Sequence, residues 1–356
     1  MKHSSEPSFS DQNSSLLPEM AVPGNRRSFF KQAGLFVMLV GLGVLSGFVF
    51  LALPALRTGR EVVMVPILSE VNVTSSDELI SLLKEKGLWE ITGNFAVPRL
   101  ILSSYPANIG NLDPEVKKKA FLNSLLPAAL MAMGEVEKER ETLRAILVKI
   151  PRSNQNLLIS EPLDGWAGSL SNQEIDDLMV LGLKYRTDET EELVKRIDLV
   201  PLSLLLAQAA LESSWGSSRI ARDGNNLFGV VTWGDNAVEP PVNGDGSGRR
   251  YANYDSILDS VRAYIVMLNR LPSYQHFREI RSRTRNPLKL AEGLKNYSER
   301  RGGYIADLKE VMVGNDLNRY DGCVLALPPA PPPRSKGLWW EIAREFNLTP
   351  QKATAI

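Results

Sequence analysis

From Ala33 to Leu53 the chain reads AGLFVMLVGLGVLSGFVFLAL, with no charged residue anywhere in the run. As a helix at about 1.5 Å per residue it is about 31 Å long, enough to cross a hydrocarbon core of about 30 Å. A soluble helix of that length almost always keeps a polar face. Residues 33–53 are therefore expected to form a transmembrane signal anchor. Residues 1–32 before it, rich in Ser and Pro, are expected to be a disordered cytoplasmic N-terminus. Arg26, Arg27 and Lys31 precede the run, against Arg57 and Arg60 after it, a bias that keeps the N-terminus inside. Everything beyond residue 60 then lies outside the cytoplasm. The alternative is export through a twin-arginine-like signal made of Arg26, Arg27, Phe29 and Lys31. The apolar run ends in FLALPALRTGR, which offers only Leu53-Pro54-Ala55 as a poor cleavage site, and this favours the anchor.

The remaining sequence reads as mostly helical α+β. Residues 61–112 form an N-terminal extension, with Val62, Val63, Val65 and Ile67 followed by a helix capped at Ser76-Asp77 and ending at Gly87. From Asp113-Pro114 a long amphipathic pattern begins, and Pro127 is expected to kink or interrupt it. Ser171 and Glu174 form a capping box, and Pro201 is expected as the first helical residue of PLSLLLAQAALESSW. The polar, Gly-rich segment 222–250 reads as loops with a short hairpin, a small β-lobe. Helices are expected at 256–270, 275–283, 287–297 and 304–313. A proline-rich linker at 324–337 leads to a short amphipathic tail at 338–356. There Trp339, Trp340, Ile342 and Phe346 either recruit an envelope protein partner or fold back on the domain.

Composition removes several kinds of chemistry. Lys and Arg number 41 and Asp and Glu 41, so the formal charge is zero, and a sequence-independent nucleic-acid binder is not expected. Cys323 is the lone cysteine, and only His3 and His276 are present, too few to build a zinc or haem site. The expectation is cofactor-free and metal-free chemistry.

Glu212 is the residue best suited to carry it. It lies in LLLAQAALESSWG, among Leu204, Leu205, Ala209, Ala210 and Leu211, toward the C-terminal end of a helix. Apolar surroundings and the negative end of the helix dipole both disfavour a charged carboxylate and raise its pKa. A carboxyl still protonated near neutral pH is what a general acid requires. Gln208, one turn earlier, is placed to hydrogen-bond its side chain.

ALESSWGSSRIA followed by GNNLFGVVTW resembles the glucosaminidase domain of glycoside hydrolase family 73, whose pattern is A-x-E-S-x-W-G and then N-L-F-G. RRYANYDSILDSVRAYIVML and LAEGLKNYSERRGGYIADLKEVM resemble its later segments. KKKAFLNSLLPAAL is similar to the preface found in the Bax subgroup of Gram-negative bacteria. The resemblance covers about 113–320 and implies a lysozyme-like glucosaminidase domain at 113–323. That domain would cleave a β-1,4 bond next to N-acetylglucosamine in peptidoglycan glycan strands. It would lie in the periplasm, held to the inner membrane by residues 33–53.

The resemblance further implies Glu212 as catalytic acid, with Tyr304 orienting the 2-acetamido group or stabilising developing charge. It places Asn226, Leu227, Phe228, Gly229 and Tyr297 in substrate binding, and Trp233 is the better candidate for a sugar platform than Trp215. The second carboxylate falls on the β-lobe, where Glu239 is chosen over Asp235, Asp245 and Asp255. Gly302-Gly303 suggests a backbone that approaches something closely. Two rivals remain: a lytic transglycosylase, and a catalytically silent glycan-binding scaffold. An amidase is disfavoured, because it would need zinc or a Cys–His pair.

Overall fold

The computed structural model describes residues 69–150, 159, 169–232, 237–238 and 250–326. The chain divides into two units, Met1–Val65 and Pro66–Ile356, and every described residue belongs to the second. The expected disordered segment 1–32, the apolar run 33–53 and the tail 338–356 lie outside the described residues. Among the described residues no helix is long and apolar enough to cross a membrane.

The helices follow in chain order: α1 (Ser76–Glu85), α2 (Pro114–Lys149), α3 (Asn172–Tyr185), α4 (Thr190–Arg196) and α5 (Leu202–Ser213). Then come α6 (Arg219–Gly224), α7 (Ile257–Arg270), α8 (Gln275–Arg281), α9 (Pro287–Ala291) and α10 (Gly302–Gly314). The capping box of α3 is present in full, with Ser171 and Glu174 satisfying each other's backbone N–H groups. Three residues of α6 fall inside the segment expected to be loop; Ser218 caps that helix by accepting from the Ala221 N–H.

The strands are short. β1 (Ser69–Val71) pairs in parallel with β3 (Leu100–Leu102), and β2 (Ala96–Val97) pairs in parallel with β7 (Val324–Leu325). The second pair ties residues of the expected extension to the far end of the domain. It also draws two residues of the expected 324–337 linker into the fold. The small β-lobe is a three-stranded antiparallel sheet, with β6 (Arg250–Ala252) between β4 (Val231–Thr232) and β5 (Ala237–Val238).

Helix α2 runs unbroken through Pro127, against the expected interruption. A proline inside a helix costs about 3 kcal/mol. Residues 120–132, however, are buried on every side of the helix, so packing holds the proline in place. For the same reason the stretch around Pro127 carries no amphipathic stripe.

Helix α5 is the centre of the fold. Every residue from Leu202 to Ala210 is buried, a helix apolar all round that must be enclosed by others. It is enclosed by α2, α9, α10 and the 3₁₀ turn Leu317–Tyr320. Pro201 is its N-cap, one residue earlier than expected, and has no side chain with which to cap. Asp321 supplies the cap from across the fold: its carboxylate accepts from the Ser203 N–H and from Ser203 Oγ, both at 2.8 Å.

Candidate active site

Glu212 is the penultimate residue of α5, where the buried helix emerges. The turn that follows is severe. Ser214, Trp215 and Gly216 all have positive φ, at 52°, 59° and 76°. Two non-glycine residues in that region cost roughly 1 kcal/mol or more each. Ser213 closes the turn, its Oγ donating to the Ala209 carbonyl at 2.6 Å and accepting from the Gly216 N–H at 2.8 Å. A Cβ on Gly216 would stand 2.9 Å from the Phe121 ring, so only glycine fits. Trp215 packs edge-on against Phe121 at 6.1 Å, a core contact rather than a platform. The E-S-x-W-G motif thus has a physical reading: an acid, a hydroxyl that closes the turn, a ring against the core, and a glycine where nothing larger fits.

The N-L-F-G motif fixes the opposite wall. Asn226 Nδ2 donates to the Val230 and Ala252 carbonyls, both at 2.9 Å, and its Oδ1 accepts from the Val230 N–H at 3.0 Å. Leu227 is fully buried, and Phe228 stacks on Tyr264 with ring centroids 4.0 Å apart. The side chains of Asn226 and Leu227 are therefore engaged within the protein and shape the loop from behind. Gly229 has φ +63°, and a Cβ there would lie 3.5 Å from Glu212 Oε2. The loop backbone comes up beside the carboxyl group.

Tyrosines complete the surroundings. Tyr297 stacks on Tyr304 at 5.5 Å and donates its hydroxyl to the Phe228 carbonyl at 2.7 Å. A directed chain of hydrogen bonds reaches Glu212. Tyr264 donates to Gln208 Oε1, Gln208 Nε2 donates to the Tyr304 hydroxyl at 2.8 Å, and Tyr304 donates to the Glu212 carboxyl group. Gln208 therefore reaches Glu212 through Tyr304 rather than directly. Burial pushes the Glu212 carboxyl up to about 7, and the Tyr304 hydrogen bond opposes that rise. Burial, and next the Glu212 charge, hold the Tyr304 phenol well above its usual range, so it stays a hydrogen-bond donor.

The structure thus brings together Glu212, Tyr304, Tyr297, Phe228 and Gly229 from the residues expected to form the site. Glu239, Trp233, Asp235 and Asp245 lie outside the described residues, and Asp255 is exposed. Gly302 and Gly303 make no close backbone approach within the protein; the nearest atom to a Cβ on Gly303 would be Arg300 Nη2, at 3.6 Å. Tyr264 and Tyr274 were not singled out from the sequence, yet the Glu212 charge raises the pKa of both, after burial and, for Tyr264, also after Tyr274. A signal existed for Tyr264: it sits on the apolar stripe of α7, where a buried phenol must find a partner. A cavity of about 730 Å³ opens here, lined by Phe228, Gly229, Tyr274 and Tyr297 and continuing along α7. Among the described residues no group of three His, Cys, Asp or Glu is placed to hold a metal.

Residues 187–317 match the family model described as Glucosaminidase, mannosyl-glycoprotein endo-beta-N-acetylglucosaminidase. Both motifs lie inside that match. Over 174 residues the chain is 29% identical to Protein bax of Escherichia coli K12, covering 48% of this chain and 57% of that one. Over 90 residues it is 37% identical to the peptidoglycan hydrolase FlgJ of Escherichia coli K12, covering 21% and 28%. The chain thus spans little more than half of the first relative and under a third of the second. The solved C-terminally truncated glycoside hydrolase domain of Salmonella typhimurium FlgJ is 25% identical, covering 39% of this chain and 96% of that one, with a TM-score of 0.27.

Proposed function

With residues 187–317 as a glucosaminidase domain, we propose that the protein is a peptidoglycan hydrolase cleaving a β-1,4 bond adjacent to N-acetylglucosamine. The observation that carries this reading is Glu212. Its carboxyl group is held protonated up to about pH 7, hydrogen-bonded by Tyr304, and it lies beside Gly229, which lines the cavity. Glu212 gives its proton to the departing glycosidic oxygen while the anomeric carbon gains oxocarbenium character. The carboxylate left behind accepts the Tyr304 hydrogen bond, and Gln208 and Tyr264 keep that phenol aimed at it.

The partner that completes the reaction is either Glu239 on the β-lobe, with Trp233 as sugar platform, or the 2-acetamido group of the substrate, with Tyr304 orienting it. The rival reading is a lytic transglycosylase, which needs only the acid. Anhydro-sugar ends distinguish that product from a reducing N-acetylglucosamine end.

The proposal extends to location. The charge-free run 33–53 anchors the chain in the inner membrane with the domain in the periplasm, and the tail 338–356 docks an envelope protein. Retention in membranes after alkaline extraction, lost on deletion of 33–53, is the expected result for the anchor. For the activity, a gel containing purified peptidoglycan is expected to clear with the native chain and not with Glu212→Gln. Equal clearing by both removes Glu212 from the mechanism.

A further inference from the structure

The cavity lined by Gly229, whose backbone closes on the Glu212 carboxyl, does not end at the tyrosines. It continues along α7, where Arg262, Val266 and Arg270 recur every four residues on one face. Three cations line it: Lys184, Arg262 and Arg270. Two are compensated, Lys184 by Glu139 and Arg262 by Glu135 and Asp259. Arg270 is not. Among the described residues its guanidinium makes no ion pair and no hydrogen bond, and its Nε is closed off from solvent without a partner. Its surroundings oppose the charge, since burial and then the nearby Arg186 lower its pKa. A partly desolvated guanidinium beside a second cation is an unfavourable arrangement that a bound anion would relieve.

A neutral sugar strand does not need an uncompensated cation. A planar fork of N–H donors fits a carboxylate, which it holds with two parallel bonds. Resting on the peptidoglycan reading above, we infer that Arg270 receives a carboxylate of the peptide carried by the glycan strand, while the sugar bond lies at Glu212. At about 730 Å³ the cavity is in the upper part of the range of small-molecule sites, room for a sugar and part of its substituent. Arg270 then selects peptide-bearing strands and acts on substrate affinity, remote from the proton transfer.

The test is calorimetric titration of the full chain carrying Glu212→Gln, so that strands bind without being cut. One ligand is soluble peptidoglycan strand with its peptides. The other is the same strand stripped by an amidase, which leaves free lactyl carboxylates. Adding Arg270→Gln is expected to weaken binding of the peptide-bearing strand about tenfold and of the stripped strand by less than about twofold. Arg270→Lys is expected to keep part of the affinity for the peptide-bearing strand, and unchanged melting temperatures show that the variants are folded. Unchanged affinity for the peptide-bearing strand overturns the inference. An equal loss on both strands means that Arg270 does not read the peptide carboxylate, and overturns the inference. If the parent binds neither strand, the peptidoglycan reading itself fails, and this inference with it.

Discussion

Asp198 and Glu212 are both carboxylates withdrawn from water, one just before helix α5 and one at its end, and they are held by opposite means. Around Asp198 the protein gathers guanidinium groups. Arg285 approaches at 2.9 Å, Arg140 at 3.3 Å and the fully buried Arg281 at 3.7 Å. Arg281 also donates to the Asp198 and Lys195 carbonyls, both at 3.0 Å, and so closes the end of α4. Burial lowers the Arg281 pKa to about 10, with the Asp198 charge opposing that shift. Around Glu212 the partners are phenols, an amide and apolar side chains, none of which carries a full positive charge. A carboxylate among arginines fastens elements together; a carboxyl among tyrosines keeps its proton and can give it away. The contrast separates a structural centre from a chemical one.

The largest expected effect lies at the chemical centre. Glu212→Gln is expected to lower kcat on peptidoglycan about 10²–10⁴-fold, the usual worth of a positioned general acid, measured by release of reducing ends. The structural centre should answer in stability instead. Asp198→Asn leaves Arg281 buried without its counter-charge and is expected to cost about 3–5 kcal/mol in urea unfolding. A drop in kcat on the folded variant without that loss of stability would erase the contrast.

A third measurement uses the sign of linkage. Glu212 has a folded pKa of about 7 against 4.5 in the unfolded chain, so the folded state binds more protons between those values. Its contribution to stability is intact below the lower value and declines as pH rises through the upper one. Glu212→Gln should therefore match the native chain below about pH 4.5 and exceed it above about pH 7, by up to about 3 kcal/mol. The smallest effect belongs to Tyr304→Phe. It removes a hydrogen bond that lowers the Glu212 pKa, so the alkaline limb of kcat/KM should move to higher pH. A limb that moves down reverses the assigned role of the phenol.

Much of this was legible in the residues. Residue type alone marks Glu212 only as a carboxyl in an apolar helix; the resemblance carried by the paired motifs, with Gly216 and Gly229 where the chain turns or closes in, is what singles it out. Gln208 was visible as the one amide in that helix, although its target is Tyr304 rather than Glu212. The strands β1, β2, β3 and β7 were not visible, because two or three residues cannot show a period of two. The unbroken course of α2 through Pro127 was hidden because it depends on what packs around residues 120–132. The Asp198 centre was hidden for a related reason: its arginines come from positions 140, 281 and 285, and only folding brings them together.

The account rests on Glu212 holding its proton near neutrality, and a titration reads that directly. With ¹³C-labelled glutamate, the carboxyl resonance present in the native chain and missing from Glu212→Gln is followed from pH 3 to pH 9. A midpoint near 7 is the predicted result. A midpoint near 4.5, the ordinary value for a solvated glutamate, would contradict it.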